Sequence, residues 1–83
     1  ADLLSGWPWR VVEVMPLPSR PGSDASDEEL EKFEREYWRV RFGSLARVRA
    51  LRSSGEFEEV TSRYWRSEPV GGEVHIQIWV KER

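Results

Sequence analysis

His75 is the only histidine among the 83 residues, and the sequence contains no cysteine. One chain therefore cannot build a zinc site from several histidines or cysteines, or a Cys-His nucleophile pair. A Ser-His-acid triad would have to use His75 from the middle of a regular strand, and no G-x-S-x-G turn is present to expose a serine. The sequence thus predicts that the protein binds no metal and carries no activated nucleophile.

Paired acids and glycines offer no better basis for catalysis. Glu28-Glu29 and Glu58-Glu59 are adjacent, and adjacent side chains point in different directions on a helix and to opposite faces on a strand. We interpret them as solvated surface acids. The glycine pair at 71–72 precedes a strand and not a helix, so it is interpreted as a turn rather than a phosphate-binding loop. Since no cofactor motif is present either, we expect a protein that is not an enzyme and needs no cofactor.

Five tryptophans are the feature that most needs an explanation in so short a chain. Trp38 lies on or beside the helix face formed by the apolar residues that recur at a 3.6-residue period. We expect it in the core, because burying large rings stabilises a small domain. Trp65 and Trp79 are instead predicted to project from the face of a sheet opposite the core-facing Ile76 and Ile78. Aromatic and arginine side chains are enriched at interaction hot spots, so this face is a candidate surface for a partner.

Three interpretations of this sheet face are open at the level of sequence. The N-terminal segment, with Leu3, Leu4, Trp7 and Trp9, can fold over it; a second copy of the chain can pack on it; or a foreign ligand can bind it. The residues predicted to bind a partner are Trp7, Trp9, Arg63, Trp65, His75, Gln77 and Trp79.

The elements that position these residues begin with a Val- and Trp-rich strand at 7–17, which closes with a series of prolines from Pro16. Ser26 then begins a capping box with Glu29, because each can hydrogen-bond the other's backbone amide. A helix is therefore predicted from Asp27.

The end of this helix is ambiguous on the sequence alone. Apolar residues at a 3.6-residue period favour one long helix to Arg52, continuous or kinked at Gly43, and Gly55 suits its C-terminal stop. Two alternatives stay open. One has a strand at 37–42 with a separate short helix after it, and the other folds 37–52 into a hairpin.

Two further strands close the chain. Segments 56–66 and 73–82 alternate in polarity and flank a turn that contains Pro69 and two glycines, which indicates a hairpin. The even-numbered residues of the last strand are predicted to face the core. The predicted fold is α+β, in the order β-α-β-β, with one long helix packed on a three-stranded, mainly antiparallel sheet. No repeat or linker divides the chain, so 1–83 is expected to form a single domain.

Charge is distributed unevenly, although the formal net charge is only −2. Residues 24–36 are mostly acidic, whereas 37–52 contain five arginines and no acid. The simplest interpretation is that the two halves pair with each other or complement the dipole of one helix. Because duplex-binding domains are usually strongly basic overall, the near-neutral balance argues against non-specific nucleic-acid binding as the main role.

These observations predict a non-catalytic protein-interaction or assembly module that self-associates through its aromatic sheet face. The alternative is a domain that binds single-stranded nucleic acid, in which Trp65 and Trp79 stack on bases and basic residues bind phosphates. The candidate phosphate-binding residues are Arg39, Arg41, Arg47, Arg49 and Arg52.

The cellular setting is the least constrained feature. No apolar run approaches the roughly 20 residues that cross a bilayer, and the N-terminus lacks a basic region ahead of an apolar one, so we expect a cytoplasmic protein that does not bind membranes. The absence of asparagine and the abundance of glutamate and arginine fit a heat-adapted protein. A GC-rich genome or an engineered sequence would give a similar bias.

Overall fold

A computed structural model describes residues 7–67 and 73–83 of the chain. Its elements are strand β1 (Trp9–Pro16), helix α1 (Asp27–Ser53), strand β2 (Phe57–Arg66) and strand β3 (Val74–Glu82). The three strands form one sheet in the order β1-β3-β2, and both pairings are antiparallel. The structure thus confirms the α+β fold with the order β-α-β-β. The predicted turn residues of the hairpin at 68–72 lie outside the described residues.

Helix α1 runs without a break through Gly43, which rules out the strand and hairpin alternatives for this part of the chain. Its start is fixed by Ser26, whose Oγ accepts a hydrogen bond from the backbone amide of Glu29 at 3.2 Å. The helix stops before Gly55, which adopts a φ of 72° in the left-handed region. Glycine takes this conformation at little cost, so the predicted stop signal is confirmed.

The core lies between α1 and one face of the sheet, which we call the inner face. On β2, Val60 lies opposite Val80, and Tyr64 lies opposite Ile76, so alternate residues of both strands share the inner face. Partly buried side chains of the other elements, including Met15 of β1, pack around this centre. Among the described residues the buried apolar side chains are Val48, Val60, Ile76, Ile78 and Val80.

Trp38 is not part of this core, and the prediction that places it there is wrong. Its exposed fraction is 47%. The residues of α1 that face the sheet include Ser44 and Val48, and Tyr37 is on the same side of the helix. Position 38 is rotated by about 100° from position 37, so its ring lies on the flank of the helix, 5.7 Å from that of Phe42. Apolar periodicity predicted the helix correctly but not its rotation at this position.

Candidate functional site

The residues predicted to bind a partner lie on the sheet face that points away from α1, which we call the outer face. Along β3, His75, Gln77 and Trp79 alternate with the buried isoleucines. On β2, Trp65 lies opposite His75, and Arg63 lies opposite Gln77. The strand register therefore places five of the seven predicted residues side by side on two neighbouring strands.

The other two predicted residues reach the same face from β1 and the segment before it. Trp7 and Trp9 line a shallow cavity of about 200 Å³ together with Thr61, Arg63 and Trp79. The guanidinium of Arg63 lies 5.9 Å from the centre of the Trp79 ring, within the range of a cation–π contact. All seven residues that were predicted from the sequence to bind a partner thus surround one surface.

The expected cover over this surface, the N-terminal segment, is only partly described. Leu3 and Leu4 lie outside the described residues. Trp7 borders the outer face but is itself 60% exposed, and at the other end of the face Trp65 is exposed as well. The described part of the segment therefore borders the half-buried Trp79 and leaves the Trp65 end of the face exposed.

The polar groups in the middle of the outer face bond to one another. The indole Nε1 of Trp79 donates to Oε1 of Gln77 at 3.1 Å. Nε2 of Gln77 lies 3.3 Å from Nε2 of His75, and the His75 ring lies 5.0 Å from the ring of Trp65. These contacts link Trp79, Gln77, His75 and Trp65 in one row across the outer face.

Two valines of β1 also lie on this face, and the position of the second could not be predicted from the sequence. Val11 lies opposite Trp79 and Val14 lies opposite Gln77, and both are exposed. Strict alternation would place positions 11 and 14 on opposite faces. A bulge between Val11 and Glu13 adds one residue to β1 and turns Val14 to the outer face. No glycine or other local signal marks this bulge in the sequence.

The five helix arginines do not contribute to the outer face. They lie on α1, which packs against the inner face of the sheet. The predicted nucleic-acid surface needed these arginines beside Trp65 and Trp79, and the structure places the two groups on opposite sides of the sheet.

Several of these arginines contact neighbouring parts of the protein. Arg39 bonds to Glu36 one turn earlier, and these hydrogen bonds lower the pKa of the Glu36 carboxyl. Arg47 forms an ion pair with Glu13 of β1 at 3.7 Å. The guanidinium of Arg41 lies over the rings of Tyr37, Trp38 and Tyr64 at 5.4 to 5.7 Å. Among the described ion pairs, the suggested pairing of the acidic and basic halves is thus limited to Glu36 and Arg39, whereas Arg47 pairs with an acid of β1 outside both halves.

The described residues show no candidate metal site and no candidate membrane span. Within the described part of the chain, no group of three acidic or histidine side chains is arranged to hold a metal ion. No helix there is both long and apolar enough to span a bilayer.

The chain matches no family model, no curated protein and no solved structure.

Proposed function

We propose that this domain is a non-catalytic assembly module that associates with a second copy of the chain through the outer face of its sheet. The observation that carries the proposal is the exposure of this face, where Trp65 and Val14 are accessible at its edges. The helix packs on the opposite side. Exposed aromatic and aliphatic side chains around a half-buried tryptophan are typical of an interaction site on a small domain.

The arrangement of polar groups supports a protein surface as the partner. Burying a polar group is costly when it loses its hydrogen bonds to water and gains none. On the outer face, Trp79, Gln77 and His75 already bond to one another. An apolar partner surface that covers the middle of the face can therefore leave the bond from Trp79 Nε1 to Gln77 Oε1 in place, while Arg63 stays at the rim on an edge strand.

A second copy is the partner that these features fit best. Two sheets pack face to face at a separation of about 10 Å when both present apolar side chains. A second copy supplies such a face with the same size and twist, and a two-fold axis then buries each tryptophan in both protomers. Few apolar residues are fully buried in the described part of the domain, so a second buried layer would add substantially to the apolar surface that is removed from water.

The size of the face predicts a weak rather than a permanent dimer. Three strands about 4.8 Å apart and roughly 27 Å long present a projected area of about 400 Å². A standard interface buries about 800 Å² on each partner. We therefore expect association that depends on protein concentration.

The test is sedimentation equilibrium across a wide concentration range on the parent chain and on the double variant Trp65→Ser/Val14→Ser. Both residues are exposed, so the fold is retained, and we expect the association constant to fall by roughly 30-fold or more, the effect of losing an aromatic anchor. The matched control is Tyr64→Ser. Tyr64 precedes Trp65 and is 50% exposed, against 44% for Trp65, but it lies on the inner face.

A parent chain that stays monomeric throughout, or a double variant that associates as strongly as the parent, would contradict the proposal. Titration with a fluorescent single-stranded oligonucleotide provides the competing outcome. Tight binding that falls steeply with salt and disappears in the Trp65 variant would favour nucleic acid as the ligand of this face.

A further inference from the structure

Helix α1 carries a second exposed apolar surface, distinct from the outer face. Trp38, Phe42 and Leu45 are all exposed, with Phe42 the most accessible at 62%. The three positions lie within about 60° of one another around the helix. We call this surface the helix stripe.

The helix stripe continues in both directions as charged side chains on the same flank of α1. Glu31 and Glu34 precede it, and Arg49 follows it, at the same spacing of three and four residues. All three are exposed. Arg52 extends the line by one turn, and its guanidinium is bound to the carbonyl of Val60. Apart from Arg35 at its edge, this flank is therefore acidic, then apolar, then basic from its N-terminus to its C-terminus.

Two copies of this flank are complementary to each other when the two helices run in opposite directions. Positions 38 and 45 are symmetric about the point between residues 41 and 42, and so are positions 34 and 49, and positions 31 and 52. In an antiparallel pair of helices centred there, Trp38 of one copy faces Leu45 of the other, and Glu34 faces Arg49. A parallel pair would instead place like charges side by side.

The contacts of α1 show where the helix stripe lies relative to the sheet. Arg41, next to the stripe, lies over the ring of Tyr64 on β2. Arg47, half a turn from Trp38 around the helix, binds Glu13 on β1. The stripe is therefore on the side of α1 nearest the β2 edge, where a neighbouring molecule can approach it without covering the outer face.

We propose that α1 pairs antiparallel with α1 of a second copy through the helix stripe, with Glu34 and Arg49 forming reciprocal ion pairs across the two-fold axis. This contact does not depend on the outer face. A chain that uses both surfaces has two separate two-fold contacts, which extend a dimer to a tetramer or a longer assembly.

The test is a charge swap made in the Trp65→Ser/Val14→Ser background, where association through the outer face is removed. Glu34→Arg and Arg49→Glu each place like charges opposite one another, and we expect each to weaken association by about tenfold or more at low salt. The double variant Glu34→Arg/Arg49→Glu exchanges the two charges, so association should return. Within one helix the two residues are separated by roughly 22 Å, so such a rescue requires a second molecule.

Mixing the two single variants provides an independent measurement. A chain with Glu34→Arg and a chain with Arg49→Glu each repel their own copies, but in the mixed pair every arginine faces a glutamate. We expect the mixture to associate more strongly than either component. Phe42→Ser should weaken association without affecting the circular dichroism spectrum, because its ring is exposed.

Three outcomes would overturn the proposal. They are a background variant that is monomeric at every concentration, single variants that associate like the background, and a charge swap that fails to restore association while the helix content is unchanged. The second and third outcomes leave the outer-face proposal untouched, and the first, a monomeric background variant beside an associating parent, would support it.

Discussion

The guanidinium of Arg52 donates two hydrogen bonds to the backbone carbonyl of Val60, from Nε at 3.1 Å and from Nη2 at 2.8 Å. Arg52 lies in the last turn of α1, where a positive charge also interacts favourably with the helix dipole. Val60 is buried on β2 beside Val48 of the helix. One side chain thus ties the end of α1 to the strand that follows it.

Replacing Arg52 with alanine should lower the free energy of unfolding by about 1 to 3 kcal/mol, because hydrogen bonds to a charged donor are lost. Arg52→Lys keeps the charge but not the two-pronged geometry, and should lie between the parent and the alanine variant. Urea denaturation at protein concentrations where the chain is monomeric measures both. Arg49→Ala is the control, since Arg49 is an exposed arginine on the same turn. Equal losses at the two positions would show that charge alone, and not the bonds to Val60, stabilises this end.

Replacing Ser26 with alanine should cost about 0.5 to 2 kcal/mol, since the amide of Glu29 loses its acceptor. Thermal denaturation followed by circular dichroism measures the loss. Ser23→Ala, in the exposed turn before the helix, should change the midpoint little. An unchanged midpoint for the Ser26 variant would mean that its hydroxyl does not stabilise the helix start.

Replacing Ile78 with alanine should cost roughly 2 to 5 kcal/mol, because Ile78 is completely buried at the centre of β3. This is a large part of the total stability of a small domain. Val14→Ala, on the exposed outer face, should cost much less. Chemical denaturation of the two variants in parallel tests which face of the sheet is the core, and a reversed order would contradict the register between β2 and β3.

The pKa of Glu36 should rise when Arg39 is replaced with glutamine, because the hydrogen bonds from Arg39 are the main cause of its lowered pKa. NMR titration of the Glu36 side-chain carboxyl in both proteins measures the change. Since the pKa is lower in the folded state, this pair stabilises the fold above the pKa of unfolded glutamate, and the contribution is lost as the pH falls through the folded pKa. An identical titration midpoint in both proteins would contradict the assignment.

The sequence predicts those parts of the fold that depend on interactions between residues close together in the chain. Ser26 and Gly55 mark the ends of α1 through local hydrogen bonds and backbone conformation. Alternation in β2 and β3 predicted the outer face and placed Trp65 and Trp79 on it, since the side-chain period of a strand is fixed.

The parts that escaped prediction depend on tertiary contacts. Trp38 fits the apolar period of the helix, but the neighbouring Tyr37 is the residue on the side that faces the sheet. No local feature of the sequence determines this rotation of the helix about its axis. Val14 reaches the outer face only because β1 bulges where it pairs with β3. The separation of the helix arginines from the tryptophans, in contrast, follows from the predicted fold itself, which packs the helix on the core face and places Trp65 and Trp79 on the opposite one.

The central place of β3 has a consequence for the order of folding. Trp9 of β1 pairs with Lys81, near the other end of the chain, whereas β2 and β3 are consecutive strands. Closing a long loop costs more conformational entropy than closing a short one, and distant contacts form late. The β2–β3 hairpin and α1 can therefore form first, and β1 docks last, against a strand that is already paired on its other side. The same asymmetry makes β1 the first strand to detach, so its amides should exchange with solvent sooner than those of β3.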